Sequence, residues 1–197
     1  MNDLSMRCRV ALVAGASKGI GAATAEAFAA AGCSVVLAAR DTAALESVAS
    51  RIENDGGQAL AVRTDVADVA SMRNLIDRTM ESFGRLDAAF NNATDGPLPA
   101  PLADIDPDDF DRGIATNIRG TFLGMKYQIP AMLAGGGGAI VNMASIAGLN
   151  GTANLAGYVA GKAGIIGLSK VAALDYADQG IRVNVVAPGP IQTHHLE

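Results

Sequence analysis

Val10-Ala11-Leu12-Val13-Ala14-Gly15-Ala16-Ser17-Lys18-Gly19-Ile20-Gly21 decides how the rest of the chain is read. A short apolar run passes straight into three glycines, and residues 22–31 then read as a helix stopped by Gly32. Strand, glycine turn and helix in that order are what a dinucleotide phosphate loop needs. The glycines allow a tight turn and let a pyrophosphate approach the backbone. The helix N-terminus adds unpaired N–H groups and the positive end of a dipole. The spacing is GxxxGxG rather than GxGxxG. Taken alone, the same triplet also suits an ordinary strand-to-helix turn.

Outward from this loop, short β-rich runs alternate with helical stretches. Residues 34–39, 60–63, 86–90, 139–143 and 181–186 read as strands. Residues 42–55 read as a helix ending in Gly56-Gly57. Residues 69–83 carry Val69, Met72, Leu75, Ile76, Met80 and Phe83 at helical spacing before Gly84. After a loop with Pro97, Pro99 and Pro101, Asp106 looks like an N-cap with Pro107 at the first helical position. That helix runs toward Leu133, with Pro130 late in it. A second long helix covers about 156–178 and stops at Gly180. Strands that are continuous apolar runs, alternating with helices, predict a parallel sheet covered on both faces. No repeat and no separating linker occurs, so a single domain over 1–197 is expected.

The 197 residues are half hydrophobic, enough for a sizeable core and unlike a disordered chain. Lys plus Arg number 15 against 20 Asp plus Glu, a formal charge of −5 that argues against nucleic acid as a partner. Aromatic residues make up 4% with no Trp, which weakens base stacking further. Cys8 and Cys33 make neither a disulfide framework nor a metal cluster, and read as small buried thiols. Neither a secretory leader nor an apolar run of membrane-spanning length is visible, so a soluble, cytoplasmic protein with no membrane partner is expected. The adjacent His194 and His195 have no carboxylate or thiol companions, and no metal site is expected. The acidic stretch 104–111 reads as helix capping.

Further motifs follow in order. Asp65-Val66 comes after the third strand and Asn91-Asn92-Ala93 after the fourth. Asn117 lies in Thr116-Asn117-Ile118, and Ser145 ends Asn142-Met143-Ala144-Ser145. Tyr158 and Lys162 form YxxxK, and Pro188-Gly189 follows the sixth strand. Together with the glycine loop, these make the sequence resemble the short-chain dehydrogenase/reductases over nearly its whole length. The resemblance implies a doubly wound Rossmann-type α/β/α domain and a hydride transfer between a nicotinamide cofactor and a ketone or secondary alcohol. It implies cofactor contacts at Gly15, Ser17, Lys18, Gly19, Ile20, Gly21, Arg40, Asp65, Val66, Asn92, Tyr158, Lys162, Pro188, Gly189, Ile191 and Thr193. Ser145 would hydrogen-bond the substrate oxygen and Tyr158 would be the acid/base. Lys162 would tune Tyr158 and hold the nicotinamide ribose, and Asn117 would bind a water linking Lys162 to solvent.

The chemistry of the Tyr–Lys pair stands on its own. Four apart on a helix, Tyr158 and Lys162 share a face. A phenol of pKa ~10 is a poor acid or base near neutrality, and a neighbouring ammonium favours the phenolate. Ser145, Gly15, Asp65, Asn92 and Pro188 all follow strands, and ligands of open parallel sheets bind beyond the strands' carboxyl ends.

For the cofactor, NADP(H) is expected ahead of NAD(H). The second strand ends in Ala39-Arg40, with no carboxylate to repel a 2′-phosphate and a guanidinium to bind it. Lys18 adds positive charge, whereas Asp41 could neutralise Arg40 or reach the ribose itself.

Three departures from the family pattern stand out. Ala14 replaces the usual Thr, and Thr94 replaces the usual Gly, adding bulk beside the cofactor. The chain also stops soon after Pro188-Gly189, where the family carries a lid and a further strand, so the sixth strand is expected to be a sheet edge. That shortfall leaves a catalytically impaired dinucleotide-binding protein as the alternative. Gly157, Gly161, Gly164 and Gly167 suggest a row of small residues on a helix surface, hence a homo-oligomer, a tetramer by resemblance. Gly148, Gly151 and Ala153 suggest a roomy substrate pocket.

Overall fold

Val10–Ala14 is buried along its whole length, and its side chains divide between two cores. Val10, Leu12 and Ala14 enter one, while Ala11 and Val13 enter the other. A strand of small and β-branched residues with no solvated face belongs in the middle of a sheet covered on both sides. The computed structural model describes residues 9–96 and 98–192, so Cys8, Pro97, Thr193, His194 and His195 lie outside the described residues.

In chain order the elements are β1 (Val10–Ala14), α1 (Gly19–Ala30), β2 (Ser34–Ala39), α2 (Thr42–Asn54), β3 (Gln58–Arg63), α3 (Val69–Phe83), β4 (Ala88–Asn91), α4 (Pro107–Ile114), α5 (Gly120–Ala134), β5 (Gly138–Met143), α6 (Ala156–Asp175) and β6 (Ile181–Val186). Among the described residues the strands form one parallel sheet in the order β3-β2-β1-β4-β5-β6. This is the three-layer doubly wound Rossmann fold. The chain steps outward from β1 through β2 and β3, then crosses to β4 on the other side. The crevice at the carboxyl ends of β1 and β4 is therefore the switch point where such sheets bind ligands.

The helices begin where short acidic side chains can accept their first N–H groups. Asp41 caps α2 through Ala44 N at 3.0 Å, and Asp68 caps α3 through Ser71 N at 2.7 Å. Asp106 caps α4 through Asp108 N at 2.8 Å, with Pro107 just inside. Gly84, at φ +70°, ends α3. At the opposite edge from the crevice, the Asp87 carboxylate accepts from Val10 N, Arg9 Nη1 and Arg85 Nε and Nη2. Burial alone would raise its pKa, but these donors outweigh burial and hold it below the usual carboxylate range.

The ends of β3, β4, β5 and α2 shift by one or two residues from the sequence reading, and three larger differences stand out. Helix α1 starts at Gly19 rather than residue 22, because the first N–H groups of a helix need no intrahelical partner and the glycine loop itself supplies the opening turn. The expected helix from Pro107 toward Leu133 is broken by a π-helical turn, Ala115–Arg119, which bulges around Asn117. Helix α6 ends at Asp175, followed by a 3-10 turn, Ala177–Gln179.

The row of glycines on α6 does not form an exposed stripe. Gly157 and Gly161 are buried. A Cβ on Gly161 would meet Asn117 Cβ at 2.9 Å, and one on Gly164 would meet Ile118 Cδ1 at 2.6 Å. These two glycines let α6 press against the π-helical turn inside the same subunit. Of this set only Gly167 is exposed, with open space where its Cβ would be.

Candidate active site

The glycine loop is bound tightly to the sheet. Gly15 N and Ala16 N both donate to Ala38 O, at 2.7 and 3.2 Å, tying the loop to the end of β2. Gly15 has φ +80°, and a Cβ there would meet Ala93 N at 2.7 Å, so both conformation and space require glycine. A Cβ on Gly21 would meet Gly15 O at 2.0 Å, which leaves α1 no other way to start against the loop. Asn92 Nδ2 donates to Gly15 O at 3.2 Å, which places Asn92 beside the loop as expected and makes it a brace for the turn. Lys18, the N-cap of α1, makes no capping bond, so no side chain covers the helix's first N–H groups. These residues fit a dinucleotide: a backbone cradle without side chains, at a helix N-terminus, beside the switch point.

The other expected cofactor contacts lie along the same carboxyl edge. Arg40 is exposed and takes part in no ion pair among the described residues. Asp41, the residue that could have neutralised it, is committed to capping α2. Asp65 Oδ1 accepts from Ala67 N in a local turn. Val66 lines a small recess with Ala14, Asn91, Ala93, Thr116, Gly120 and Thr121. Pro188 O accepts from Ile146 N at 3.1 Å, joining the segment after β6 to the segment after β5, and Gly189 and Ile191 follow it as exposed residues. Thr193 lies outside the described residues.

Lys162 lies at the middle of the group expected to be catalytic. It is 1% exposed, and Nζ donates to Met143 O at 3.0 Å while lying 5.5 Å from the centroid of the Tyr158 ring. Burial pushes its pKa down to about 8. The Ser145 hydroxyl accepts from Ala147 N at 3.1 Å, opening a 3-10 turn, Ile146–Gly148. No acceptor within the described residues takes the hydroxyl hydrogen, which is therefore available to a bound oxygen atom. The turn presses directly on Lys162: a Cβ on Gly148 would meet Lys162 C at 2.7 Å and its Cβ at 2.9 Å. Gly148 is thus small because the backbones touch, which corrects the expectation that it makes room for substrate. Gly151 does face open space.

Asn117 is fully buried in the π-helical turn. Its amide nitrogen donates to Asp95 O and to Gly113 O, and its oxygen accepts from Thr94 Oγ1 at 3.0 Å. The side chain is therefore committed within the chain. Behind the site, Asn91, Gln128, Asn142 and Ser169 form a buried hydrogen-bond network that joins β4 and β5 to α5 and α6. Gly113 and the Met143 carbonyl were not singled out as site groups from sequence, and Thr94 stood out there for its bulk, not for its hydrogen bond. Among the described residues no group of three or more His, Cys, Asp or Glu could hold a metal ion, and no helix is long and apolar enough to cross a membrane.

A phosphate cradle at the switch point, with a buried lysine stacked on a tyrosine at the same sheet edge, defines a dinucleotide-dependent oxidoreductase fold. The chain belongs to the short chain dehydrogenase family, whose family model matches residues 9–197. It is 44% identical over 185 residues to the cyclohexanol dehydrogenase of Acinetobacter sp. (strain SE19), covering 94% of this chain and 74% of that one. It is 45% identical over 186 residues to the cis-4-hydroxycyclohexanecarboxylate dehydrogenase of Sinomonas cyclohexanicum, again covering 94% and 74%. The crystal structure of levodione reductase superposes with a TM-score of 0.93 at 35% identity, covering 95% of this chain and 74% of that one. The protein is accordingly an NAD(P)-dependent oxidoreductase acting on CH–OH and carbonyl groups of a small-molecule substrate.

Proposed function

We propose that this enzyme interconverts a secondary alcohol and a ketone on a carbocyclic ring, with Tyr158 as acid/base and NADP(H) as the preferred cofactor. The observation that carries the catalytic assignment is the contact chain from the Ser145 turn through Lys162 to the Tyr158 ring. The cofactor, when bound, supplies or accepts the hydride at the carbinol carbon. In the reductive direction the Tyr158 hydroxyl donates its proton to the carbonyl oxygen, while the Ser145 hydroxyl hydrogen-bonds the same oxygen and fixes its position. In oxidation the proton returns to Tyr158. The buried ammonium of Lys162, anchored on Met143 O, favours the deprotonated phenol electrostatically, and would hold the nicotinamide ribose of the bound cofactor. The ring substrate is suggested by the two dehydrogenase relatives, whose names describe cyclohexane-ring alcohols.

Selection of NADP(H) is supported by Arg40, which makes no ion pair among the described residues and lies two residues beyond Ala38, whose carbonyl holds the glycine loop. Asp41, engaged at the α2 cap, does not oppose it. We also infer a homo-oligomer, a tetramer, assembled through exposed apolar residues of α5 and α6. Phe122, Val171 and Leu174 are 46%, 55% and 80% exposed. A reducing, cytoplasmic setting suits the buried free thiol of Cys33.

The test is turnover of cyclohexanol and cyclohexanone, followed as NAD(P)H absorbance, in the parent and in Tyr158→Phe. Tyr158→Phe should lose at least about 100-fold in kcat. Retention of half the parent rate would remove Tyr158 from the role of acid.

A further inference from the structure

We propose that Thr94 is a positioning residue for this reaction: its hydroxyl fixes the Asn117 amide, and the fixed amide holds the Asp95-Gly96 turn against Tyr158. This rests on the reading of Tyr158 given above.

The amide leaves no freedom of orientation. Its NH2 group faces two carbonyl oxygens, Asp95 O and Gly113 O, so both hydrogens are used. The oxygen must then face a donor, and Thr94 Oγ1, at 3.0 Å, is the one the chain provides. Without that hydroxyl the oxygen of a fully buried side chain has no donor from the chain.

What the amide holds is the turn at Asp95-Gly96. Asp95 O is bound by Asn117, the Asp95 carboxylate accepts from Gly96 N at 2.9 Å, and Arg112 lies 3.6 Å from its other oxygen. A Cβ on Gly96 would sit 3.7 Å from Tyr158 Cδ2, so this turn is in contact range of the proposed acid. Farther along, Ala100 N donates to Asn154 O at 3.0 Å, tying the loop to the segment that leads into α6. Asn117 also backs onto α6 at Gly161, one residue before Lys162. A shift of its side chain therefore reaches both Tyr158 and Lys162. Among the described residues Thr94 makes no hydrogen bond to either, and in this proposal it acts through Asn117.

The isosteric Thr94→Val removes the donor and keeps the shape, whereas Thr94→Ser keeps the donor and removes a methyl group. Thr94→Val should lower kcat by about 3- to 10-fold, the range expected for one hydrogen bond. Thr94→Ser should stay within about twofold of the parent, and the cofactor Kd should be unchanged in both. A substrate-free measurement accompanies this: deuterium uptake of the peptide spanning residues 94–101, by mass spectrometry, should rise in Thr94→Val and not in Thr94→Ser. Equal uptake and equal kcat in Thr94→Val and the parent overturn the proposal, as does a Ser variant as impaired as Val. A loss confined to cofactor Kd overturns it too, because Thr94 would then be a cofactor contact. If cyclohexanol and cyclohexanone fail as substrates, or Tyr158→Phe is fully active, the functional reading fails, while the uptake comparison still decides whether Thr94 orders the loop.

Discussion

Replacing Gly148 by Ala adds one methyl group where the Ser145 turn lies on α6. That methyl would sit 2.7 Å from Lys162 C and 2.9 Å from both Lys162 Cβ and Lys162 O, where ordinary contact begins at 3.4 Å. Two of these three atoms are backbone of a long helix, so the turn must give way, by about 0.7 Å at the closest point. Overpacking of this kind costs about 1–3 kcal/mol of stability. The catalytic cost comes from geometry: the retreating turn carries Ser145 away from Lys162 and Tyr158, and a misplacement near 1 Å costs about 100-fold in rate. A loss of about 10- to 100-fold in kcat is expected. Steady-state NAD(P)H absorbance and urea unfolding read the two effects. If Gly148→Ala kept at least half the parental kcat and its unfolding midpoint, the turn would not be wedged against Lys162 and the account of Ser145 placement would be wrong.

Lys162, with its pKa lowered from 10.5 to about 8 by burial, binds its proton less tightly folded than unfolded. Its burial therefore costs stability fully below pH 8, and the cost is relieved as pH rises from about 8 to 10.5, by about 3 kcal/mol in all. Unfolding of the parent minus that of Lys162→Met should show this rise, and a flat difference over that window would refute it. Asp87→Ala should destabilise by about 1–3 kcal/mol in urea, chiefly because the buried Val10 N–H loses its acceptor, since the two arginine partners are half exposed. Its effect on kcat should be small, because it lies at the opposite edge of the sheet; a large fall in kcat without loss of stability would contradict that. Arg40→Ala should weaken NADP(H) binding about 10- to 100-fold, the value of a charge-assisted bond, and leave NAD(H) binding nearly unchanged, as read by titration of both cofactors. Tighter NAD(H) than NADP(H) binding in the parent would reverse the assignment.

Local sequence determined the strands, the caps and the positions of the reactive side chains. Val10–Ala14 reads as a doubly buried strand because every residue is apolar, and Asp106-Pro107 marks a helix start because its chemistry acts within one turn. Gly15 and Gly21 are equally legible, since a positive φ and a close backbone approach leave no other residue. The YxxxK spacing places Tyr158 and Lys162 on one face without knowledge of anything else. Tertiary structure alone decided what touches across the sheet. Gly148, Gly161 and Gly164 look alike in sequence, yet each is small because of a different distant neighbour: Lys162, Asn117 or Ile118. The π-helical turn at Ala115–Arg119 has no local signature that separates it from α-helix, and the contacts Asn117 makes within it, to Thr94 and Asp95, come from the loop after β4. The same holds for Lys162, whose charge is weakened by burial beneath the Ser145 turn and by nothing in its own helix. Periodicity and capping act over a few residues and can be read along the chain, whereas packing and hydrogen bonding between remote segments exist only once the chain has folded.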